Sequence, residues 1–159
     1  MFSSSIDSPI GKIVIRANER EVNFIGFPDE DQENYPNELT EIAAKQLTEY
    51  FAGKRIQFSF SFDQGGTDFQ KKVWEELLKI PAGKPISYTA LSKNMKNPLA
   101  IRAIASANGK NKLMILIPCH RVIGRNGDMV GYAGGLWRKE WLLEHEAVMT
   151  QIGQSTLIL

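Results

Sequence analysis

The chain of 159 residues carries one cysteine, Cys119. A single thiol excludes an internal disulfide framework and suits a reducing compartment. No apolar run is long enough to span a membrane. There is no internal repeat, no low-complexity tract and no cofactor-binding motif. Ser3-Ser4-Ser5 leads to Asp7 and an alternating pattern, without the apolar core of a secretory signal. The expectation is a soluble, cytoplasmic protein. Net charge is also small, at +1, with 43% hydrophobic residues, a composition that can build a core. The small net value hides an asymmetry. Residues 1–66 hold 6 Lys/Arg against 11 Asp/Glu, and residues 67–146 hold 13 against 7. A basic second half suggests a polyanionic partner, although solvated charge alone would look the same.

The first half reads as strands followed by a helix. Ile13-Val14-Ile15 and Val22-x-Phe24-Ile25-x-Phe27 are strand-like runs around the turn Asn18-Glu19-Arg20. From Asn37 to Phe51, Leu39, Ile42, Ala43, Leu47, Tyr50 and Phe51 recur at helical spacing, and Gly53 is the stop. Phe58, Phe60 and Phe62 alternate with polar residues, which predicts a half-buried strand. Asp63-Gln64-Gly65-Gly66 is the expected boundary, dividing the chain into domains at 1–66 and 67–159.

The second half reads as short helices. Thr67-x-x-Gln70 is a capping box opening a helix whose apolar face is Phe69, Val73, Trp74, Leu77 and Leu78. Ser87 caps a second helix, and Lys93 to Asn97 make a turn. Pro98, at a first helical position, opens a third helix that Asn108-Gly109 closes. The pair predicts a helix-turn-helix. The third helix is rich in alanine, with Arg102 as its only charge, so its backbone could lie close to another surface. Asn126-Gly127 between strand-like flanks predicts a basic hairpin, or wing. A last helix runs from Leu136 to Glu146 with Trp137, Trp141, Leu142 and Leu143 in the core. An uncharged tail follows from 147.

Cys119 sits in Pro118-Cys119-His120-Arg121, after the apolar run Leu113 to Ile117. By itself, a cysteine ending an apolar run is an ordinary small buried hydrophobe. Beside a histidine it is also a candidate nucleophile, because the thiolate is the reactive form and an adjacent base can generate it.

In context, the motif Ile117-Pro118-Cys119-His120-Arg121-Val122 resembles the active-site motif of the O6-alkylguanine-DNA alkyltransferases, the methylated-DNA–protein-cysteine methyltransferases. Ile86-Ser87-Tyr88, Asn97-Pro98, Arg102-Ala103, Ala107-Asn108-Gly109-x-Asn111, Gly131 to Leu136 and Lys139 to Glu146 fit the same family in order and spacing. The likeness covers residues 67–146. It implies an α+β protein: a ribonuclease-H-like α/β domain followed by a mostly helical winged helix-turn-helix domain.

The implied function is DNA repair, by irreversible transfer of one alkyl group from O6-alkylguanine, and from O4-alkylthymine, to Cys119. His120 would take the thiol proton and Glu146 would orient His120. Tyr88 would protonate the departing base, and Asn111 would tie the helix-turn-helix to the active-site segment. Arg102, Ala103, Ala107, Arg121 and Tyr88 would meet the DNA. Cys119, Val122, Tyr132 and Ala133 would hold the base. The implied partner is double-stranded DNA, entered from the minor groove with little sequence preference, bound by a monomer without cofactor or metal. Some family members hold a structural zinc through Cys and His in the first domain, but residues 1–66 contain neither. Lys112 and Met114 stand where family members carry proline, beside the alkyl pocket. Two other classes remain open from the residues alone. One is a winged-helix binding module with an incidental cysteine, and the other is a cysteine hydrolase using a Cys-His pair.

Overall fold

The computed structural model describes residues 1–28, 33–124, 132 and 134–151, with the backbone alone for 152–158. It has two compact units, Met1–Gly65 with Lys112–Leu116, and Gly66–Asn111 with Ile117–Leu159. Residues 112–116 therefore leave the second half, where the sequence reading had them. The cause is backbone pairing. Ile25 N–H donates to Lys112 O at 2.9 Å, and Met114 N–H donates to Ile25 O at 3.1 Å.

The first unit is built on an antiparallel meander of β1 (Phe2–Ser8), β2 (Gly11–Ala17) and β3 (Val22–Gly26). Ile13, Ile15 and Ala17 of β2 are fully buried. Strand β1 is absent from the sequence reading, because serine has little strand preference of its own. Its pairing comes from β2, and Ser4 is buried with its hydroxyl donating to Thr40 Oγ1 at 2.8 Å.

Helix α1 (Glu38–Phe51) starts at Asn37 in a capping box with Thr40. Its inward face differs from the apolar pattern. Thr40 and Gln46 are buried and Ile42 is exposed. Gln46 Nε2 donates to Ser59 Oγ at 2.7 Å, and Gln46 Oε1 accepts from Ser59 N–H at 2.9 Å. That side chain takes the bond a neighbouring strand would need. The predicted strand at 58–62 is accordingly an extended segment, joined to β3 by a single bridge, Val22 with Phe62. The alternation survives, with Phe60 buried between the exposed Ser59 and Ser61, and Phe58 and Phe62 half-buried.

In the second unit, Thr67 and Gln70 form the expected capping box of α2 (Asp68–Leu77). Val73, Trp74 and Leu77 are buried, and Trp74 Nε1 donates to Ala107 O at 2.9 Å. Strand β4 (Ile86–Ser87) pairs in parallel with β5 (Val122–Ile123). Helix α3 (Tyr88–Asn94) begins directly after β4, capped by Ser87. It ends in a Schellman motif with Lys96 at φ 57 and Asn97 N–H donating to Ser92 O at 2.9 Å.

Helix α4 (Ile101–Gly109) starts three residues after Pro98, not at it. Ala100 N–H closes a turn onto Asn97 O at 3.1 Å, so Pro98 shapes the entry turn. Helix α5 (Leu136–Ile158) continues well past Glu146, so the uncharged tail is helical backbone through Ile158. No helix among the described residues is long and apolar enough to cross a membrane.

Candidate active site

Two tight turns deliver Cys119. Leu116 N–H donates to Met114 O at 2.8 Å across Ile115, whose φ is 72. That is the geometry of a γ-turn, rare for a β-branched residue. Cys119 N–H donates to Ile117 O at 2.8 Å across Pro118, at φ −79 and ψ 66, an inverse γ-turn that the proline ring suits. Cys119–Arg121 then form one 3-10 turn, with all three residues buried.

Helix α5 supplies the groups behind that turn. Lys139, Leu142 and Glu146 are spaced to share one face, and all three are fully buried. Glu146 Oε1 accepts from Arg121 Nε and Oε2 from Arg121 NH2, both at 2.8 Å. Oε2 also meets His120 Nε2 at 2.9 Å. Arg121 NH1 donates to Ile80 O at 2.7 Å. Burial pushes the Glu146 carboxyl up, but Arg121 and then His120 outweigh it, and the group stays well below the usual carboxylate range. An ionised Glu146 only accepts, so Nε2 of His120 bears the hydrogen and Nδ1 is the basic nitrogen. Burial also holds the His120 pKa below its ordinary value, which favours neutral imidazole.

Cys119 is a thiol at rest in this setting. Burial raises its pKa, while an Asn111 hydrogen bond and the charge of Lys139 pull the other way. Asn111 Nδ2 donates to Ile117 O at 2.8 Å, tying the end of α4 to the chain just before Cys119. Lys139 Nζ donates to Val122 O at 2.8 Å. Tyr88, at the start of α3, is brought to the site by the β4–β5 pair. Its hydroxyl accepts from Asn108 Nδ2 at 3.1 Å, and the same nitrogen donates to Cys119 O at 3.3 Å. Burial, and then the charge of Cys119, raises the Tyr88 pKa. The same two causes raise that of Tyr132 well above its ordinary range. Among the described residues, Asn108 Oδ1, His120 Nδ1 and Tyr132 Oη are buried without a hydrogen-bond partner. Three such unmatched polar atoms are unusual for buried groups, nearly all of which are paired.

Several expected placements change. Arg121 is not on a DNA-facing surface, because its guanidinium is buried against Glu146 and Ile80. Ala107 is buried under Trp74, so of the α4 residues expected at DNA only Arg102 and Ala103 are exposed. Trp137 is exposed, with the Arg138 guanidinium 4.8 Å from its ring centroid. The inward stripe of α5 belongs to Lys139, Leu142 and Glu146 instead. His145 stacks on Trp141 at 4.7 Å. The Asn126-Gly127 hairpin and Ala133 lie outside the described residues. Asn108 and Lys139 join the site without having been singled out by sequence. Both stood inside recognised motif blocks, Asn108 beside the glycine that ends α4, and neither residue type alone signals a site.

Known proteins match along nearly the whole chain. Residues 68–148 match the model described as 6-O-methylguanine DNA methyltransferase, DNA binding domain. Residues 1–64 match its ribonuclease-like domain. A methylated-DNA–protein-cysteine methyltransferase of Methanosarcina acetivorans is 41% identical over 155 residues, covering 92% of this chain and 98% of its own. One from Mycobacterium leprae is 39% identical over 148 residues, covering 89% and 90%. The Mycobacterium tuberculosis protein OGT, solved in complex with DNA, superposes with a TM-score of 0.84 at 38% identity, covering 94% of each chain. With both domain models matched in order around the buried Cys119–His120–Glu146 array, the chain belongs to the methylated-DNA–protein-cysteine methyltransferases.

Proposed function

We propose that this protein repairs double-stranded DNA by moving the alkyl group of O6-alkylguanine onto Cys119 Sγ. The observation that carries the reading is the buried His120 Nε2–Glu146 Oε2 contact directly after Cys119 in the chain, with Nδ1 of His120 left without a hydrogen-bond partner among the described residues. Displacement at an alkyl carbon needs a soft anionic nucleophile and a proton for the departing oxygen. His120 Nδ1 takes the Cys119 proton, directly or through a water. Glu146 stabilises the resulting imidazolium, as the carboxylate does in hydrolase triads. The thiolate electron pair forms the S–C bond, the C–O6 bond breaks, and its electrons pass to the purine. Tyr88 protonates the purine, and the proton on His120 restores the tyrosine through solvent. The net change is a thiol converted to a thioether and the base returned as guanine. Lys139 lowers the cost of the thiolate and holds Val122 O.

The reacting atom lies inside a duplex, so the nucleotide leaves the stack to reach Cys119. The exposed face of α4 fits a narrow groove. Ala103, Ser106 and Gly109 are exposed and small, and Arg102 projects beside them. This supports entry from the minor groove, with Arg102 filling the vacated stack and little dependence on sequence; the binding unit in this reading is a monomer.

The test is Cys119→Ser with duplex DNA carrying a labelled O6-methyl group. The expected result is complete loss of label transfer to protein with DNA binding intact, since a serine hydroxyl is a far weaker nucleophile at neutral pH. Label on the serine protein would refute the assignment. No label on the wild-type protein, with DNA binding unchanged by removing the thiol, would favour a binding module, and turnover of an ester would favour a hydrolase.

A further inference from the structure

We propose that Asn108 is a positioning residue for the reaction: it occupies the Tyr88 oxygen as a donor and so commits the phenolic hydrogen to the departing base. The inference rests on the reading that Tyr88 protonates guanine. The geometry supplies the rest. Asn108 Nδ2 lies 3.3 Å from Cys119 O and 3.1 Å from Tyr88 Oη. A backbone carbonyl can only accept, so the amide nitrogen must face it. The opposite amide orientation would set two acceptors against each other. With one Nδ2 hydrogen on Cys119 O, the other goes to Tyr88 Oη. The phenol oxygen is thereby an acceptor, and its own hydrogen is left to donate elsewhere.

A donor aimed before the substrate arrives has less reorganisation to undergo in the transition state. The effect of Cys119 on Tyr88 acts with it, because a thiolate nearby keeps the phenol protonated. When the C–O6 bond breaks, the hydrogen on Tyr88 Oη passes to the purine, and the proton held by His120 later returns to the tyrosinate. Asn108 itself exchanges no proton. Packing alone does not account for the residue. It is 5% exposed and its Oδ1 is buried without a partner among the described residues. An apolar side chain of that size would avoid the unmatched acceptor.

Asn108 also pins the Cys119 turn through the carbonyl bond, so the experiment must separate the two roles. Single-turnover methyl transfer from duplex DNA is measured for Asn108→Leu, Tyr88→Phe and the double variant. Tyr88→Phe is expected to slow transfer on the order of a hundredfold or more, the range of a general acid. Asn108→Leu should slow wild type severalfold while leaving the dissociation constant for DNA unchanged. In the Tyr88→Phe background it should change the rate by less than about twofold, because the group it acts through is gone. An equal loss in both backgrounds would overturn the inference and leave Asn108 as a pin for the turn. A Tyr88→Phe protein at the wild-type rate would overturn the reading of Tyr88 itself, a different failure. Asn108→Asp keeps the shape if Asn108→Leu fails to fold. Its carboxylate only accepts, so it draws the phenolic hydrogen to itself; it should slow wild type towards the Tyr88→Phe rate and change the rate in the Tyr88→Phe background by less than about twofold. A wild-type rate for Asn108→Asp would also overturn the proposal.

Discussion

Glu146 is held by three donors, two from Arg121 and one from His120. A buried carboxylate without such partners would cost several kcal/mol, so Arg121 makes the Glu146–His120 contact possible as a charged one. The arrangement ties stability to pH. Burial holds the folded pKa of His120 below its ordinary 6.5. Below that value the unfolded chain takes up a proton that the folded protein resists, so stability is full above it and falls as pH drops. Glu146 adds a loss of the same sign below its ordinary 4.5, because Arg121 and His120 outweigh burial and hold its folded pKa far lower. The urea midpoint should therefore fall between about pH 7 and pH 5 in the wild type. His120→Gln, which has no imidazole to titrate, should lose most of that slope. A slope unchanged by the substitution would mean His120 is not the titrating group.

Helix α5 turns a buried charged face to the rest of the second unit, to which it belongs, and its extension beyond Glu146 has its own contact. Thr150 packs against Gly83, which has φ 79. A Cβ at Gly83 would both strain the backbone and collide with Thr150 Oγ1. Gly83→Ala should cost about 2–4 kcal/mol by urea unfolding, combining left-handed strain with overpacking. Adding Thr150→Ala should recover the overpacking share and leave the strain. No recovery would mean the extended helix does not press on that turn. Helix α4 carries a functional prediction. Arg102→Ala should slow repair of duplex DNA strongly and reaction with free O6-alkylguanine little, since no base need be flipped there. Equal losses on both would remove Arg102 from that role. What the sequence revealed follows the range of the forces involved. The α2 cap was legible because Thr67 and Gln70 bond across three residues. Strand β1, the start of α4 and the fate of Phe58 to Phe62 depend on partners distant in sequence. Arg121 looked like a DNA contact because nothing near it in sequence announces Glu146. On α5, Trp137 and Trp141 suggested one inward face, and the Lys139–Glu146 face won because Arg121 and His120 match Glu146 and the Val122 carbonyl takes Lys139.

The molecule carries one thiol in its buried site and, under the proposed reaction, offers that thiol no route back. A methyl thioether on Cys119 has no acidic proton, and its methyl is poorly activated for onward transfer. Displacing it would require a thiolate leaving group buried near Lys139, and among the described residues His120 is a weak nucleophile for that step, as is water. The chain has no second cysteine to take the group. The cost of that economy is one protein per lesion. Excess methylated duplex should give a burst of repaired guanine equal to the active protein, with no steady state after it. Intact mass should rise by one methylene, and peptide mapping should put the gain on Cys119. In the Cys119→Ser protein both burst and mass gain should vanish together. Continued product formation after the burst would show that the alkyl group leaves Cys119, and would return a hydrolytic or multiple-turnover mechanism to consideration.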